Sequence, residues 1–399
     1  MTKSGVNISD IKENNRTLIL KHICTNSGIS RIELARVTGL TKMTLTNITN
    51  DLIKAGLIRE STETSENAGQ TISNSVGRKP IMLTISEDSP VAVGVWVSRD
   101  YCAGVLTDLK ANIIAENRID FVENENKDTL MEKVIACAKY LCGKSQRKVV
   151  GVGISSIGPV DVRRGILLKP ANFYGIANLN VCAEVSEALG GIPTYIEKDM
   201  DASALAERYF GNGKNTPNFI YVGITNGIGS GIISGGELFH GGSGFGGEFG
   251  HTSIDYKGEL CHCKNRGCIE MYASVPNILN NYNKKQENKA KDLSELIELS
   301  QKDIGAREYI EDICEKLAIA LASLSNVLDP STIIIGHEGY YFSDYMLKII
   351  EKRLNDYILV SGYKKIKVQR SDFEDGASII GAATIVMDKI FNNELSVLN

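Results

Sequence analysis

At 399 residues the chain exceeds the usual reach of one hydrophobic core, so two or three domains are expected. Composition is that of a globular protein, and no run of about eighteen apolar residues marks a membrane span; the opening MTKSGVNISDIKENN also lacks the apolar stretch of a signal peptide. Nine cysteines, odd in number and scattered apart from one cluster, argue against a disulfide framework and for reduced thiols in the cytoplasm with one metal site. Residues 1–85 hold eleven Lys/Arg against seven Asp/Glu, a balance of +4, whereas the remainder holds 33 against 41, or −8. A basic head on an acidic body points to a polyanionic partner for the head alone.

In chain order, residues 14–58 predict three helices. Leu18, Ile19 and Ile23, then Ile32, Leu34, Ala35 and Val37, then Leu45, Ile48, Leu52 and Ile53 fall at helical spacing, with Gly39 and Gly56 as stops. Ser30 with Glu33 forms a capping box for the second helix, and Thr41 caps the third. The second and third helices, joined by Thr38-Gly39-Leu40, have helix-turn-helix spacing. Thr41, Lys42, Met43, Thr44 and Asn47 then lie at the base-reading start of the recognition helix, and Arg31 and Lys54 face phosphates. A plain three-helix bundle would give no reason for so many polar residues at one helix start. Thr62–Val76 reads as a polar hairpin tip, closed by a strand at Ile81–Ile85. Gly77-Arg78-Lys79-Pro80 would sit on this wing, with Arg78 and Lys79 near a minor groove.

From Pro90 the pattern alternates between strands (Val91–Val97, Val149–Ile154, Phe219–Ile224, Thr332–Ile335) and helices (Lys127–Leu141, Tyr309–Leu328), the signature of an α/β domain. VAVGVWVSRDYCAGVL and IYVGITNGIGSGII each begin a strand–turn–strand unit, a weak duplication that implies a cleft between two similar halves. The most specific stretch is GFGGEFGHTSIDYKGELCHCKNRGCIE. His251, Cys261, Cys263 and Cys268 supply one imidazole and three thiols within eighteen residues, a closed tetrahedral shell for structural Zn2+. His262 is the competing ligand, ranked below His251.

These motifs resemble the ROK family of repressors and sugar kinases. The likeness rests on Glu248-Phe249-Gly250-His251, on Cys261, Cys263, Gly267, Cys268 and Glu270, and on Asp375-Gly376-Ala377 and Gly381-Ala382-Ala383. Within the family GGSGFGGEFGH, NRGCIEMYAS and DYCAGVLTDL are most similar to xylose repressors of Gram-positive bacteria. Lys264 departs from the family by replacing a glycine after the second cysteine. The resemblance implies an actin-like, ribonuclease H-like duplicated sugar-kinase fold behind a winged helix-turn-helix head. The expected domains are a head at 1–86, a first lobe at 87–200 with the helix 380–399 packed back on it, and a second lobe at 201–379.

The implied function is a sugar-responsive repressor, a homodimer or homotetramer that binds operator DNA and a monosaccharide effector. The likeness carries sugar contacts onto Asn172, Lys198, Asp199, Glu248, His251 and Glu270. Lys198-Asp199-Met200-Asp201 stands where the family has Asn-Asp-Ala-Asn, so that Lys198 either pairs with Asp199 or Glu197 or receives an anionic ligand. No enzyme activity is expected. Trp96-Val97-Ser98-Arg99-Asp100 stands where the kinases carry Asp-x-Gly-Gly-Thr for phosphate and magnesium, and Gly336-His337 replaces the Gly-Gly expected near adenine. Asp199 is then a vestigial base, although Asn226-Gly227-Ile228-Gly229 preserves a second phosphate turn. A sugar kinase with an accessory DNA-binding head is the competing reading, and whether sugar releases or strengthens DNA binding stays open.

Overall fold

The computed structural model describes residues 7–61 and 81–397. Its first compact unit comprises Met1–Ile154, Ala171–Ile196 and Ala382–Asn399, and its second Ser155–Pro170 and Glu197–Gly381. These limits differ from the lobes read from the sequence in giving Ser155–Pro170, Glu197–Met200 and Ile380–Gly381 to the second unit.

The first unit opens with helices α1 (Ile8–Cys24), α2 (Arg31–Thr38) and α3 (Lys42–Lys54) and strands β1 (Ile29–Ser30), β2 (Ile58–Ser61) and β3 (Met82–Ile85). Capping fixes the helix starts. Asn7 and Asp10 form a capping box on α1, Ser30 and Glu33 form one on α2, and the Thr41 hydroxyl accepts from the Thr44 amide. Gly39, at φ 69°, ends α2 in the left-handed conformation that a side chain would strain. The helices close over Ile19, Leu20, Ile23, Leu34, Leu45, Ile48 and Leu52. Ile32 and Val37, part of the apolar spacing in the sequence, are exposed instead, because the short α2 turns only Leu34 fully inward. Strands β2 and β3 pair antiparallel from Ile58↔Ile85 to Ser61↔Met82, and β1 joins on the far side of β3. Arg78 and Lys79 lie outside the described residues.

The same unit continues with β4 (Val91–Val97), β5 (Tyr101–Thr107), β6 (Ile113–Asp120), α4 (Lys127–Cys142), β7 (Val149–Ser156), α5 (Val181–Ala188) and β10 (Thr194–Lys198), in the sheet order β10-β7-β4-β5-β6. The small hairpin β8 (Val160–Asp161) and β9 (Ile166–Leu167) interrupts it. Gly94 and Gly153 lack side chains for a steric reason: a Cβ on either would collide with the backbone of Ala382 or Ala383 in the last helix, α12 (Ala377–Phe391).

The second unit contains α6 (Asp199–Phe210), β11 (Phe219–Ile224), β12 (Ile228–Ser234), β13 (Glu237–Leu238), α7 (Glu270–Ala273), α8 (Val275–Lys285), α9 (Leu293–Leu299), α10 (Ile304–Leu328), β14 (Thr332–His337), α11 (Asp344–Tyr357) and β15 (Lys367–Arg370). Its sheet runs β13-β12-β11-β14-β15. With strands ranked by position along the chain, both sheets have the order third, second, first, fourth, fifth, so the duplication sensed in the two strand–turn–strand motifs extends to whole sheets. Ile220, Val222 and Ile224 of β11 face the α8–α11 core, while Phe219 and Tyr221 face Met200 and Ala204 of α6. Alternation along one strand thus buries both faces of the sheet.

Candidate functional site

Between β13 and α7 the chain forms an irregular segment, most of whose glycines are required by conformation or contact. Gly241, Gly244 and Gly247 have φ between 74° and 83°. A Cβ on Gly250 would meet the Ile228 carbonyl, and one on Gly267 the Asp255 carbonyl. A short 3-10 turn at Phe249–His251 and isolated bridges Ser253↔Cys268 and Leu260↔Arg266 fold the segment on itself. This brings the sulfurs of Cys261, Cys263 and Cys268 and a ring nitrogen of His251 within 4.8 Å of one another. Cys263 Sγ stands 3.6 Å from Cys268 Sγ, and Cys261 Sγ 3.7 Å from His251 Nδ1. Ligands about 2.3 Å from a tetrahedral zinc are about 3.8 Å apart, so the four atoms fit the edges of such a shell. His251, Cys261, His262 and Glu270 form an overlapping second set. His262 Nδ1 lies 3.7 Å from Cys261 Sγ and 3.6 Å from Glu270 Oε1. Lys264 adopts φ 74°, so the chain keeps the left-handed turn a glycine would favour while carrying a side chain there.

Close to this segment lies a buried charge cluster. Lys198 Nζ donates to the Gly246 carbonyl and to Glu248 Oε1 (3.3 Å), and stands 3.6 Å from Asp201 Oδ2. This corrects the pairing with Asp199 or Glu197 expected from the sequence: Lys198 ends β10 pointing at the glycine segment, and Glu197 instead meets His240 Nε2 at 2.9 Å. Burial alone would lower the Lys198 pKa, but the carboxylates of Asp201 and Glu248 outweigh it and hold the ammonium charged. Burial pushes Asp199 up to about 6 and Asp201 up to about 7. The Glu248 side chain remains 55% exposed. Glu270 is partly engaged, since its Oε2 accepts the Ile228 amide at 3.0 Å. That amide belongs to the second glycine turn, so a group that phosphate could use is already bonded. Asn172, the remaining expected sugar contact, lies in the first unit.

Met200 also occupies space at that turn, because a Cβ on Gly223 or Gly229 would strike its side chain. At the β4–β5 turn the indole of Trp96 packs edge-on to Tyr101, 5.4 Å between centroids. Where adenine-side glycines would stand, His337 is buried, with Nδ1 2.8 Å from the Tyr221 hydroxyl and Nε2 2.9 Å from Ser378 Oγ. Neither contact was legible in the sequence, since the partners lie 116 and 41 residues away.

On the head, Lys42, Met43, Thr46, Asn47 and Asn50 of α3 are exposed along one side, whereas Leu45, Ile48, Thr49 and Leu52 are buried. Met43 is 76% exposed, unusual for a methionine and suited to a thymine methyl. Thr44 turns to the cap, its hydroxyl 2.9 Å from that of Thr41. Arg31 is not a free cation: it donates to Glu60 Oε1 (2.7 Å) and Thr49 Oγ1 (3.1 Å). Lys54 at the end of α3 is exposed.

A five-stranded sheet repeated in one order, glycine turns closed to phosphate and a Cys/His cluster, behind a helix-turn-helix, define a sugar-kinase scaffold joined to a DNA-binding module. Residues 92–389 match the ROK family model, and residues 13–59 match a winged helix-turn-helix DNA-binding model. The chain belongs to the ROK family. It is 31% identical to a xylose repressor of Bacillus spizizenii over 95% of this chain and 96% of that protein. Its identity to the DNA-binding transcriptional repressor Mlc of Escherichia coli is 26%, over 97% and 96%. A solved ROK transcriptional regulator, described as a homologue of the E. coli Mlc protein, superposes with TM-score 0.78 at 25% identity, covering 96% of this chain and 98% of that one. A ROK hexokinase from Thermus thermophilus superposes at 0.65 and 24% identity over 74% of this chain, a likeness of fold. Among the described residues no helix is long and apolar enough to cross a membrane.

Proposed function

We propose that the chain is a transcriptional repressor of carbohydrate-utilisation genes that binds operator DNA through its head and responds to a neutral monosaccharide, with xylose the first candidate. One observation carries the reading: the match to relatives named as repressors extends over head and ROK region together, at 95% or more of both chains. The head, 1–86, reads bases through Lys42, Met43 and Asn47, phosphates through Lys54 and a minor groove through Arg78 and Lys79, while Thr41, Thr44 and Arg31 set the shape of α3. The effector contacts are Asn172, Asp199, Glu248, His251 and Glu270. Lys198 contributes by neutralising Glu248 and Asp201 rather than by receiving an anion, which favours an uncharged sugar over a sugar phosphate.

Zinc fits the Cys261, Cys263, Cys268 and His251 donors, with His262 the lesser alternative. Bound there, it would fix the His251 ring and stiffen the segment between Glu248 and Glu270. No phosphoryl transfer is assigned: Trp96 and Arg99 replace a carboxylate and a glycine, Glu270 and Met200 occupy the second turn, and Asp199 keeps only the raised pKa of a former base. The protein works in the cytoplasm as a dimer or tetramer.

Sugar shifts operator affinity to the extent that it binds one DNA-binding state better than the other. A tenfold preference amounts to about 1.4 kcal/mol, within reach of one or two added hydrogen bonds. Fluorescence anisotropy on upstream regions of sugar-catabolic genes, titrated with D-xylose, D-glucose and their phosphates, tests the reading and gives the direction of the effect. Sugar-dependent ADP release without promoter binding would replace it with the kinase reading.

A further inference from the structure

The turn between β4 and β5 carries Arg99 where the family's kinases have bare glycine backbone. Its guanidinium is already engaged, with Nη1 donating to the carbonyl oxygens of Ala171 at 2.9 Å and Asn172 at 2.8 Å. The Arg99 carbonyl in turn accepts from the Tyr174 hydroxyl at 3.2 Å. Three hydrogen bonds therefore tie the turn to residues 171–174, seventy-odd positions further along the chain.

That segment has an unfavourable backbone. Asn172 has φ 53°, Tyr174 49° and Asn178 54°, all in the left-handed region, with Gly175 at 70°. Such a run keeps one shape only when surrounding contacts over-determine it. Phe173, fully buried, is one anchor, and Tyr174 stacks edge-on to Phe121 at 6.4 Å. These aromatic contacts hold residues 173 and 174. The exposed Asn172 is held at its own carbonyl, and there the partner is Arg99.

We propose that Arg99 is a positioning residue for effector recognition: it holds Asn172 in its left-handed conformation, so that a former phosphate turn serves sugar binding. The inference rests on the assignment of Asn172 as an effector contact. Arginine suits the task because one nitrogen bridges two successive carbonyls with charge-assisted bonds, while the guanidinium plane keeps its direction fixed.

The test uses full-length protein carrying R99A, R99K, N172A or R99A/N172A. Hydrogen exchange of residues 171–178 is followed without sugar, and D-xylose and D-glucose binding is followed by calorimetry. R99A should speed exchange in the segment tenfold or more and leave β5 unchanged. It should also raise the Kd of whichever sugar binds by tenfold or more. R99K should recover part of both effects, since an ammonium can still reach one carbonyl, and the double variant should bind no worse than the weaker single. Operator affinity without sugar serves as the folding control. Unchanged exchange in R99A overturns the proposal, as does sugar binding that R99A weakens and N172A does not. If neither sugar binds the unaltered protein, the monosaccharide reading fails, and exchange alone decides whether Arg99 holds the segment.

Discussion

His337 sits at φ 56°, ψ −139°, a backbone region seldom open to anything but glycine, and is nonetheless buried with both ring nitrogens hydrogen-bonded. Burial favours its neutral form and pushes its pKa down to about 4 from the usual 6.5. A depressed histidine contributes stability that is complete above pH 6.5 and is lost as pH falls toward 4, by on the order of 1 kcal/mol per pH unit. Asparagine keeps a donor and an acceptor and does not titrate. The stability gap between wild type and His337→Asn should therefore narrow between pH 6.5 and 4 in urea unfolding, and parallel pH curves would count against the assignment. Lys264 offers the opposite experiment. A side chain at φ 74° costs about 1–2 kcal/mol, partly offset by the greater chain freedom of glycine when unfolded. Lys264→Gly should stabilise the folded protein by about 0.5–1 kcal/mol, measured by the shift in denaturation midpoint at constant slope. The candidate metal ligands were legible because they fall within eighteen residues of chain. The hydrogen-bond acceptors of the Lys198 and Arg99 side chains were not, because they lie 48 to 73 residues away and no local pattern announces them.

Among the elements, the head was the most readable, since caps and stops are local chemistry: the capping box of Ser30 and Glu33, the Thr41 cap and the Gly39 stop all appear where the sequence puts them. The start of α1 lies outside the stretch read from the sequence because its signal, Asn7 with Asp10, precedes the apolar pattern. Helix α3 divides cleanly between a buried stripe and an exposed start, so substitutions at its exposed positions should alter recognition without unfolding the head. Asn47→Ala should reduce discrimination at one operator base pair by about 1–3 kcal/mol and leave affinity for unrelated duplex unchanged. Competition binding against single-base operator variants measures this, and a uniform loss across all duplexes would place Asn47 on phosphate instead. Ile32 and Val37 show the limit of periodicity, because an apolar residue on a short helix faces inward only where a neighbour covers it.

At the scale of the molecule, repetition was visible as two similar strand–turn–strand motifs, while the shared order of both sheets depends on pairings between distant strands that no local pattern encodes. The Cys/His cluster is likewise wider than its ligands, because Glu270 belongs to the overlapping set and holds the Ile228 amide. Exhaustive chelation should release about one zinc per chain by metal analysis. It should weaken sugar binding and speed exchange over residues 248–270, while circular dichroism of the helices changes little. Retained sugar affinity in metal-free protein would separate the cluster from effector binding.

Helix α12 begins in the second unit and ends in the first, where Ala382 and Ala383 cover Gly94 and Gly153 at backbone distance. The ribosome makes those glycines nearly three hundred and over two hundred positions before the alanines that close over them. A nascent chain halted before residue 382 would present a complete DNA-binding head on a sheet still open along β4 and β7. The protein can reach its finished state only after synthesis of its closing helix, so its maturation is tied to translation passing Phe391.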